Sequence, residues 1–500
     1  MSHIRAKHNV SKYCTTPEHI VIARSTVNPT METPPSFKID QDKDIISALP
    51  DELLLGILER LSLGQAVRAG AVSTRWRHLP HQLSRLYLDV DDFHGTTPLK
   101  TMDAFTGATR RLLSPAESKC DFIKIMRTVK TLHLRFYPSA PHLISIGHAV
   151  EDTVSRGQTD WFKFELIQPS SDQTSPRQPD WRRELGQQFM SFSRACPIAF
   201  RWLTGLSLKR LEFRNSDLSS LIGACVKLKH LSLIHCRLVW RSVLKIDVPS
   251  SSIQELDFIK FRCTRIDLVS VPKLTRLMCN SWRSKNAPLS FGYVPMLHTV
   301  TLGSRAKAWQ SRFTLSECFS RNASSMSKLY LNFSCQMIWI QPEHPKQLSA
   351  IFRNLTDVAL CCIFPECDMS WTLFILEAAP ALQIFTLNRA RHSCVKTSED
   401  SAEKTNVVWE PSKNLKHLNL KVLVILGFED EEKVANYIRL VMERATRLWR
   451  IELQSYTCKK CNKLGQETPR TSQGEDKDSR RRIKERLTIG PSLSVDIIIC

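Results

Sequence analysis

The pair Cys458 and Cys461, in CKKC, is the one Cys-x-x-Cys spacing in this 500-residue chain, and it raises metal binding or thiol exchange. A closed structural zinc site needs four ligands in short pairs, yet neither Cys nor His follows Cys461 until Cys500. Redox work by such a pair needs a strand-helix-strand scaffold that the residues around it do not announce. Cys361, Cys362 and Cys367 flank a turn at Pro365 and read as soft apolar side chains. Asp51 and Glu52 are adjacent, so they cannot face each other across a cleft; they suit the first turn of a helix. The chain contains no glycine-rich phosphate loop, no His-Glu-x-x-His and no Gly-x-Ser-x-Gly. The expectation is a non-enzymatic protein with no cofactor and no metal.

The net charge of +21 raises a different chemistry, the binding of anions. Residues 201–300 hold 16 Lys or Arg against 6 Asp or Glu, almost half of that excess. Such a field attracts nucleic acid or an acidic protein. The cations are scattered between leucines, without an aromatic-interleaved groove or a recognition-helix signature, so nucleic acid is the weaker reading unless they gather on one face. The richest aliphatic stretch, residues 418–428, contains Asn419 and Lys421 and is far shorter than the roughly 20 apolar residues of a membrane span. Sixteen cysteines without a framework spacing suit reduced, buried thiols. These features point to a soluble chain of the nucleus or cytoplasm.

Two kinds of element have to position any binding surface. The first is a helical block at residues 44–90. Leu49 and Pro50 lead into Asp51 and Glu52, and Leu53, Leu54, Ile57, Leu58 and Leu61 follow at helical spacing. Gly64 should end this helix, residues 65–71 should form a second, and Val72, Trp76 and Leu79 should line a third. This order, with the run VSTRWR at 72–77, resembles the F-box family. The resemblance implies that Leu49, Pro50, Leu53, Ile57, Leu58, Val72, Ser73 and Trp76 dock a Skp-type adaptor, and through it a cullin-RING ubiquitin ligase. A departure is the small stretch Ala69, Gly70, Ala71, where Gly70 weakens the second helix by about 1 kcal/mol relative to Ala.

The second element is a rhythm. The frame apolar-x-x-apolar-x-apolar recurs from Leu208-Leu211-Phe213 through Leu228-Leu231-Leu233, Ile253-Leu256-Phe258, a degenerate Leu274-Leu277-Met278 and Leu297-Val300-Leu302. It continues as Met326-Leu329-Leu331, Leu355-Val358-Leu360, Leu382-Phe385-Leu387, Leu415-Leu418-Leu420 and Leu448-Ile451-Leu453, and Val129-Leu132-Leu134 is an earlier copy. Each copy makes a short strand with one apolar side, and such strands bury that side only by stacking in parallel, as a leucine-rich solenoid does. Some connections, such as residues 267–273, have room for only a turn. An ordinary α/β domain is thereby disfavoured, and the irregular spacing resembles the leucine-rich repeats of plant F-box proteins.

In the strands, the residues between the apolar ones face away from the core. They form an extended ladder for a target protein: Arg210, Glu212 and Arg214; His230; Glu255 and Asp257; Arg276; Lys328 and Tyr330; Asp357; His417; and Arg450. Tyr330 and the arginines are the favoured anchors. Residues 155–183 and 393–406 read as insertion loops, and residues 1–43 as a disordered arm.

After the repeats of 100–410, residues 411–500 carry strand, helix and strand patterns, with the helix at 431–447 and a break at Gly427 and Phe428. Together with the tail before Cys500, this segment resembles the FBD domain of plant F-box proteins, and CKKC fits the grass-type members. Its bottom-up reading is a cap over the last strand. The fold class is therefore α/β, a three-helix F-box followed by an irregular leucine-rich-repeat solenoid with a strand-helix-strand cap. The resemblance implies the substrate-recognition subunit of a Skp-cullin-F-box ubiquitin ligase. A leucine-rich scaffold without ligase activity is the alternative.

Overall fold

The computed structural model describes residues 49–61, 63–114, 128–169, 180–239, 242–282, 287–304, 311–334, 338–389, 407–412, 415–455, 477–488 and 495–499. The arm 1–43, the loop 393–406 and CKKC lie outside them. The chain divides into two compact units, residues 1–85 and 86–500.

In the first unit, Pro50 fixes the entry into the helix Asp51–Leu58. Its carbonyl accepts from the N–H groups of Leu53 and Leu54, both at 3.1 Å. The second helix is Leu63–Val72, so Gly64 opens it rather than closing the first. In place of a third α-helix there is a 3-10 turn, Trp76–Gln82, because Pro80 lies inside it and cannot donate to an α-helical ladder. The expected weakness at Gly70 also has a purpose. A Cβ there would come within 2.9 Å of the Pro80 ring and 3.2 Å of the Trp76 carbonyl, so glycine lets the turn seat on the helix.

The second unit is built on a 14-stranded sheet that opens at Arg85–Asp89. It proceeds through Thr131–Phe136, Trp161–Leu166, Gly205–Lys209, His230–Ile234, Glu255–Ile259, Arg276–Trp282 and Thr299–Ser304. The remaining strands are Lys328–Asn332, Asp357–Ile363, Ile384–Arg389, Val422–Leu426, Arg450–Gln454 and Asp496–Ile499. From Thr131–Phe136 onward neighbouring strands pair in parallel, in sequence order.

Three expectations are corrected here. Residues 155–183 are not one insertion: Trp161–Leu166 is a strand of the sheet and Trp181 opens a helix, Trp181–Ala195. The frames at Leu208 and Leu415 are out of phase, because the strands Gly205–Lys209 and Val422–Leu426 bury Leu206 with Leu208 and Leu423 with Ile425. Residues 267–273 are more than a turn, since Ile266–Ser270 is itself a strand of a second, three-stranded sheet with Leu244–Asp247 and Leu289–Tyr293.

That second sheet follows from chain length. Residues 260–275 must leave one strand and return to the next. Five extended residues cover about 16 Å, a span that would take a helix of about 11 residues. Where the connections are longer, helices fill the same layer: Ala140–Val154, Trp181–Ala195, Asn215–Ala224 and Glu432–Arg444. The last matches the expected helix, and it buries Val434, Tyr437, Ile438, Val441 and Met442. The core between layers holds two aromatic clusters, one of Phe162, Phe164, Phe192 and Phe200 and another of Trp282, Phe313, Trp339, Phe333 and Trp371.

The chain leaves several strands through a residue with positive φ, two positions after an inward side chain: Arg210, His235, Lys260 and Gly427; Ser281 and Cys362 hold the same conformation at register shifts near the ends of their strands. This left-handed corner aims an N–H at the next repeat. Arg210, His235, Lys260 and Gly427 donate to the carbonyls of Ile234, Ile259, Asn280 and Gln454 at 2.8–2.9 Å. Only at Gly427 is glycine required, because a Cβ would lie 1.8 Å from the Arg389 carbonyl oxygen. Gly427→Ala is expected to destabilise this end of the sheet by more than about 1 kcal/mol, whereas Gly223→Ala, at a helical site with open space around it, is expected to be neutral or stabilising. Hydrogen exchange at Ile425 and Leu453 checks the pair.

Candidate functional site

Two surfaces have the chemistry of interaction sites. On the first unit, Leu54 and Leu58 are 1% exposed and form its core, while Leu53 and Ile57, one helical turn apart, are 56% and 43% exposed. Leu58 therefore holds the helix in place instead of offering a contact. Leu61, Val67 and Val72 are also exposed apolar residues, Val72 at 87%. Leu49, Ser73 and Trp76 are half-buried and Pro50 is exposed. Sequence reading missed Arg75, whose guanidinium donates to the Leu49 carbonyl at 2.6 Å and to Asp51 at 3.0 Å, tying the Leu-Pro turn to the segment after the second helix. Its signal was a cation 24 residues from an acidic helix start, which pattern alone cannot pair.

On the second unit the open side of the sheet carries rows of side chains in register. One row runs His133, Lys163, Gly205, His230, Glu255, Arg276, Thr299, Lys328, Asp357, Ile384, Val422, Arg450 and Asp496. Six expected contacts, His230, Glu255, Arg276, Lys328, Asp357 and Arg450, fall in it. Asp257 and Tyr330 fall in the neighbouring row with Arg135 and Glu165, although Tyr330 is only 8% exposed and presents little surface.

The other four do not belong there. Arg210 is a corner residue, Arg214 precedes the helix Asn215–Ala224, and Glu212 is 6% exposed in the short strand Glu212–Phe213. The out-of-phase frame displaced them by five residues. His417 is 4% exposed. Its Nε2 donates to the Ala379 carbonyl at 2.9 Å, while Nδ1 accepts from the N–H of Leu420 at 3.0 Å. It staples a turn from inside.

Parts of these rows are already neutralised by ion pairs, between strands and within them. His230 meets Glu255 at 3.1 Å, and Arg276 bonds Glu255 and also Asp257 at 3.1 Å. Nearer the first strands, Arg135 spans Asp89 at 2.6 Å and Asp91 at 2.7 Å, and Glu165 accepts from Lys163 at 2.9 Å and lies 3.2 Å from His133. Burial raises the Glu165 carboxyl, but the His133 ring at 3.2 Å and the Lys163 charge outweigh it and hold the group at about 2.

Among the described residues the cysteines offer no reactive centre. Nine are free among the described residues, eight of them buried, and burial pushes Cys225, Cys236 and Cys318 up to about 12. His148, Glu151 and Cys196 bring possible metal-ligand atoms within 4.8 Å of one another. Glu151, however, accepts from the N–H groups of Ile198 and Ala199 at 3.1 and 3.3 Å, so it caps the helix Pro197–Trp202.

The arrangement is thus a small helical unit with an exposed apolar side and a long parallel repeat sheet with a charged open side. A family model described as At1g61320/AtMIF1, LRR domain matches residues 183–486, well over half of the chain. The chain belongs to this leucine-rich-repeat family. A second model, F-box-like, matches residues 46–89. The F-box protein At1g80960 of Arabidopsis thaliana is 40% identical over 67 residues, which cover 12% of this chain and 14% of that protein. The repeat match runs through residues 411–486, so most of the segment read as a separate closing domain is continuous with the repeats. The chain thus joins an F-box-like segment to leucine-rich repeats. No helix among the described residues is long and apolar enough to cross a membrane.

Burial lowers the pKa of His417, against the pull of the Ala379 carbonyl. A histidine held neutral in the fold contributes stability that is present above its unfolded value near 6.5 and fades as pH falls below it. Protection of the Leu420 amide, its exchange corrected for the intrinsic pH dependence, is therefore expected to fall between pH 7 and pH 5, and His417→Gln to abolish that fall; a protection that does not change with pH would rule out this role.

Proposed function

We propose that this chain is a substrate receptor of a Skp-cullin-F-box ubiquitin ligase. The single observation that carries the reading is an F-box-like segment whose core is filled by Leu54 and Leu58 while Leu53, Ile57, Val67 and Val72 stay exposed. A surface of that kind on a unit this small is suited to an apolar partner such as a Skp-type adaptor. The repeat sheet of the same chain would then hold a target protein, and the tether would raise the concentration of target lysines near the cullin-bound ubiquitin carrier. In this division of labour residues 44–90 dock, residues 100–410 capture, and residues 411–500 close the array. The strand-helix-strand order of Val422–Leu426, Glu432–Arg444 and Arg450–Gln454 supports reading that last part as FBD-like, while its grass type rests on the CKKC pair of the sequence alone. A nuclear or cytoplasmic location goes with the assignment.

Co-purification of the full chain with a plant Skp-type adaptor tests it. Leu53→Asp with Ile57→Asp is expected to reduce adaptor capture at least tenfold, about 1.4 kcal/mol. The same chain should keep its proteolysis pattern across residues 128–455, since the repeats have their own core. Leu58→Ala separates fold from contact: it should weaken the unit by about 2–5 kcal/mol and lose the adaptor through unfolding. A wild-type chain that captures no adaptor would leave the scaffold reading in place.

A further inference from the structure

The three repeats that open at Leu203, Leu228 and Ile253 are spaced by 25 residues, and the spacing places like positions side by side. Glu212 pairs in register with Arg237, and Arg237 forms a parallel bridge with Arg262. Arg210, two residues before Glu212, is the corner whose N–H reaches the carbonyl of Ile234 in the next repeat. Arg182 comes to the same place from the preceding helix. Burial and then the charges of Arg237, Arg262 and Arg210 lower its pKa, so all three lie within its electrostatic reach. The carboxylate of Glu212, 6% exposed, lies beneath, bonded to Arg237 at 2.5 Å and within 3.5 Å of Arg183.

We infer that this arginine cluster, at the rim of the sheet rather than on its open face, is a docking site for a polyanionic segment of a partner protein, bearing phosphoryl groups or clustered carboxylates. Arg237 and Arg183 are the guanidiniums at the Glu212 carboxylate, and with Arg182, Arg210 and Arg262 close by, positive charge is concentrated here; a guanidinium fork matches the paired oxygens of both anions. Glu212 has a definite part in this. By holding Arg237 it sets one fork in place, so less side-chain entropy is lost when an anion arrives.

Size decides between a peptide and a nucleic acid. Three strands at about 4.8 Å spacing give a strip of about 10 Å, enough for two or three anionic groups. Nucleic-acid affinity at physiological salt is built from many more phosphate contacts. Among the described residues, the Trp181 ring lies 5.2 Å from the Arg182 guanidinium and is covered by it, so it is not an open stacking platform. The gathering of cations expected of a nucleic-acid protein does occur, on a scale suited to a short peptide.

The inference deepens the receptor reading, since the anionic segment would belong to the target, but binding itself can be measured without the ligase. The probes are labelled 12-residue peptides of alternating glycine and phosphoserine, glutamate or serine, and a 12-nucleotide single-stranded RNA, titrated into the full chain by fluorescence anisotropy. The phosphoserine or glutamate peptide is expected to bind, more weakly as salt rises, and the serine peptide not to bind. Whichever anionic peptide binds tighter identifies the anion.

Arg210→Gln with Arg262→Gln should weaken binding at least tenfold. Lys346→Gln with Arg353→Gln, an equal charge change at exposed sites elsewhere, should change it less than twofold. Arg210→Lys with Arg262→Lys, which keeps the charge but not the fork, should fall between. Absence of binding by both anionic peptides, an equal loss in the control pair, or tighter binding of the RNA would overturn the proposal. Adaptor capture by the Arg210, Arg262 variant should be unchanged, so a failed adaptor experiment and a failed peptide experiment are separate results.

Discussion

A parallel strand with two leucines on one side and polar groups on the other cannot stand alone. Its inner side needs a layer to pack on and its edges need neighbours to satisfy every N–H and C=O. Each repeat here meets both needs through the repeats before and after it, from Leu86 and Leu88 at one end to Ile497 at the other. Once register is held by those inward side chains, the outer layer is free to vary. That is why helices, extended segments and short turns can follow one another there while the rows on the open side remain aligned.

This separation explains what could be read in the amino-acid order. Most of the inward positions were legible, because Leu231 with Leu233, Leu329 with Leu331 and Ile451 with Leu453 stand out from their neighbours. Phase was ambiguous where apolar residues also continue past the strand. Leu206, Leu208, Leu211 and Phe213 are all buried, so an alternating pattern offered two frames and the later one misplaced Arg210, Glu212 and Arg214. The strand Trp161–Leu166 was hidden because its frame opens on Thr159, a buried threonine whose hydroxyl donates to the Val129 carbonyl at 2.9 Å. His417 looked like a surface residue because nothing local reveals that both ring nitrogens have backbone partners. In the helical unit, the exposed Ile57 and buried Leu58 are adjacent, and only the packing of the 3-10 turn distinguishes them.

The charged rows carry a related lesson about binding. Charges opposite one another on adjacent strands stabilise the sheet modestly, and any partner laid across them must replace pairs that already exist. The open side is consequently suited to recognition by shape and by exchange of hydrogen bonds. Long-range attraction has to come from elsewhere on the molecule, where like charges are brought together instead of opposite ones.

The even spacing of the repeats at Leu203, Leu228 and Ile253 has an implication for how such a chain can change. Unequal crossing-over between like positions in these units would remove or duplicate one strand, one corner and one outer segment together. Every inward side chain would keep its phase, and the join would fall between equivalent backbone conformations. The units from Leu355 to Leu420 differ in length and in outer layer, so the same event there would join unlike ends. Gain and loss of whole repeats, and with them a change in the span of the surface they present, should be tolerated better in this stretch than between Leu355 and Leu420.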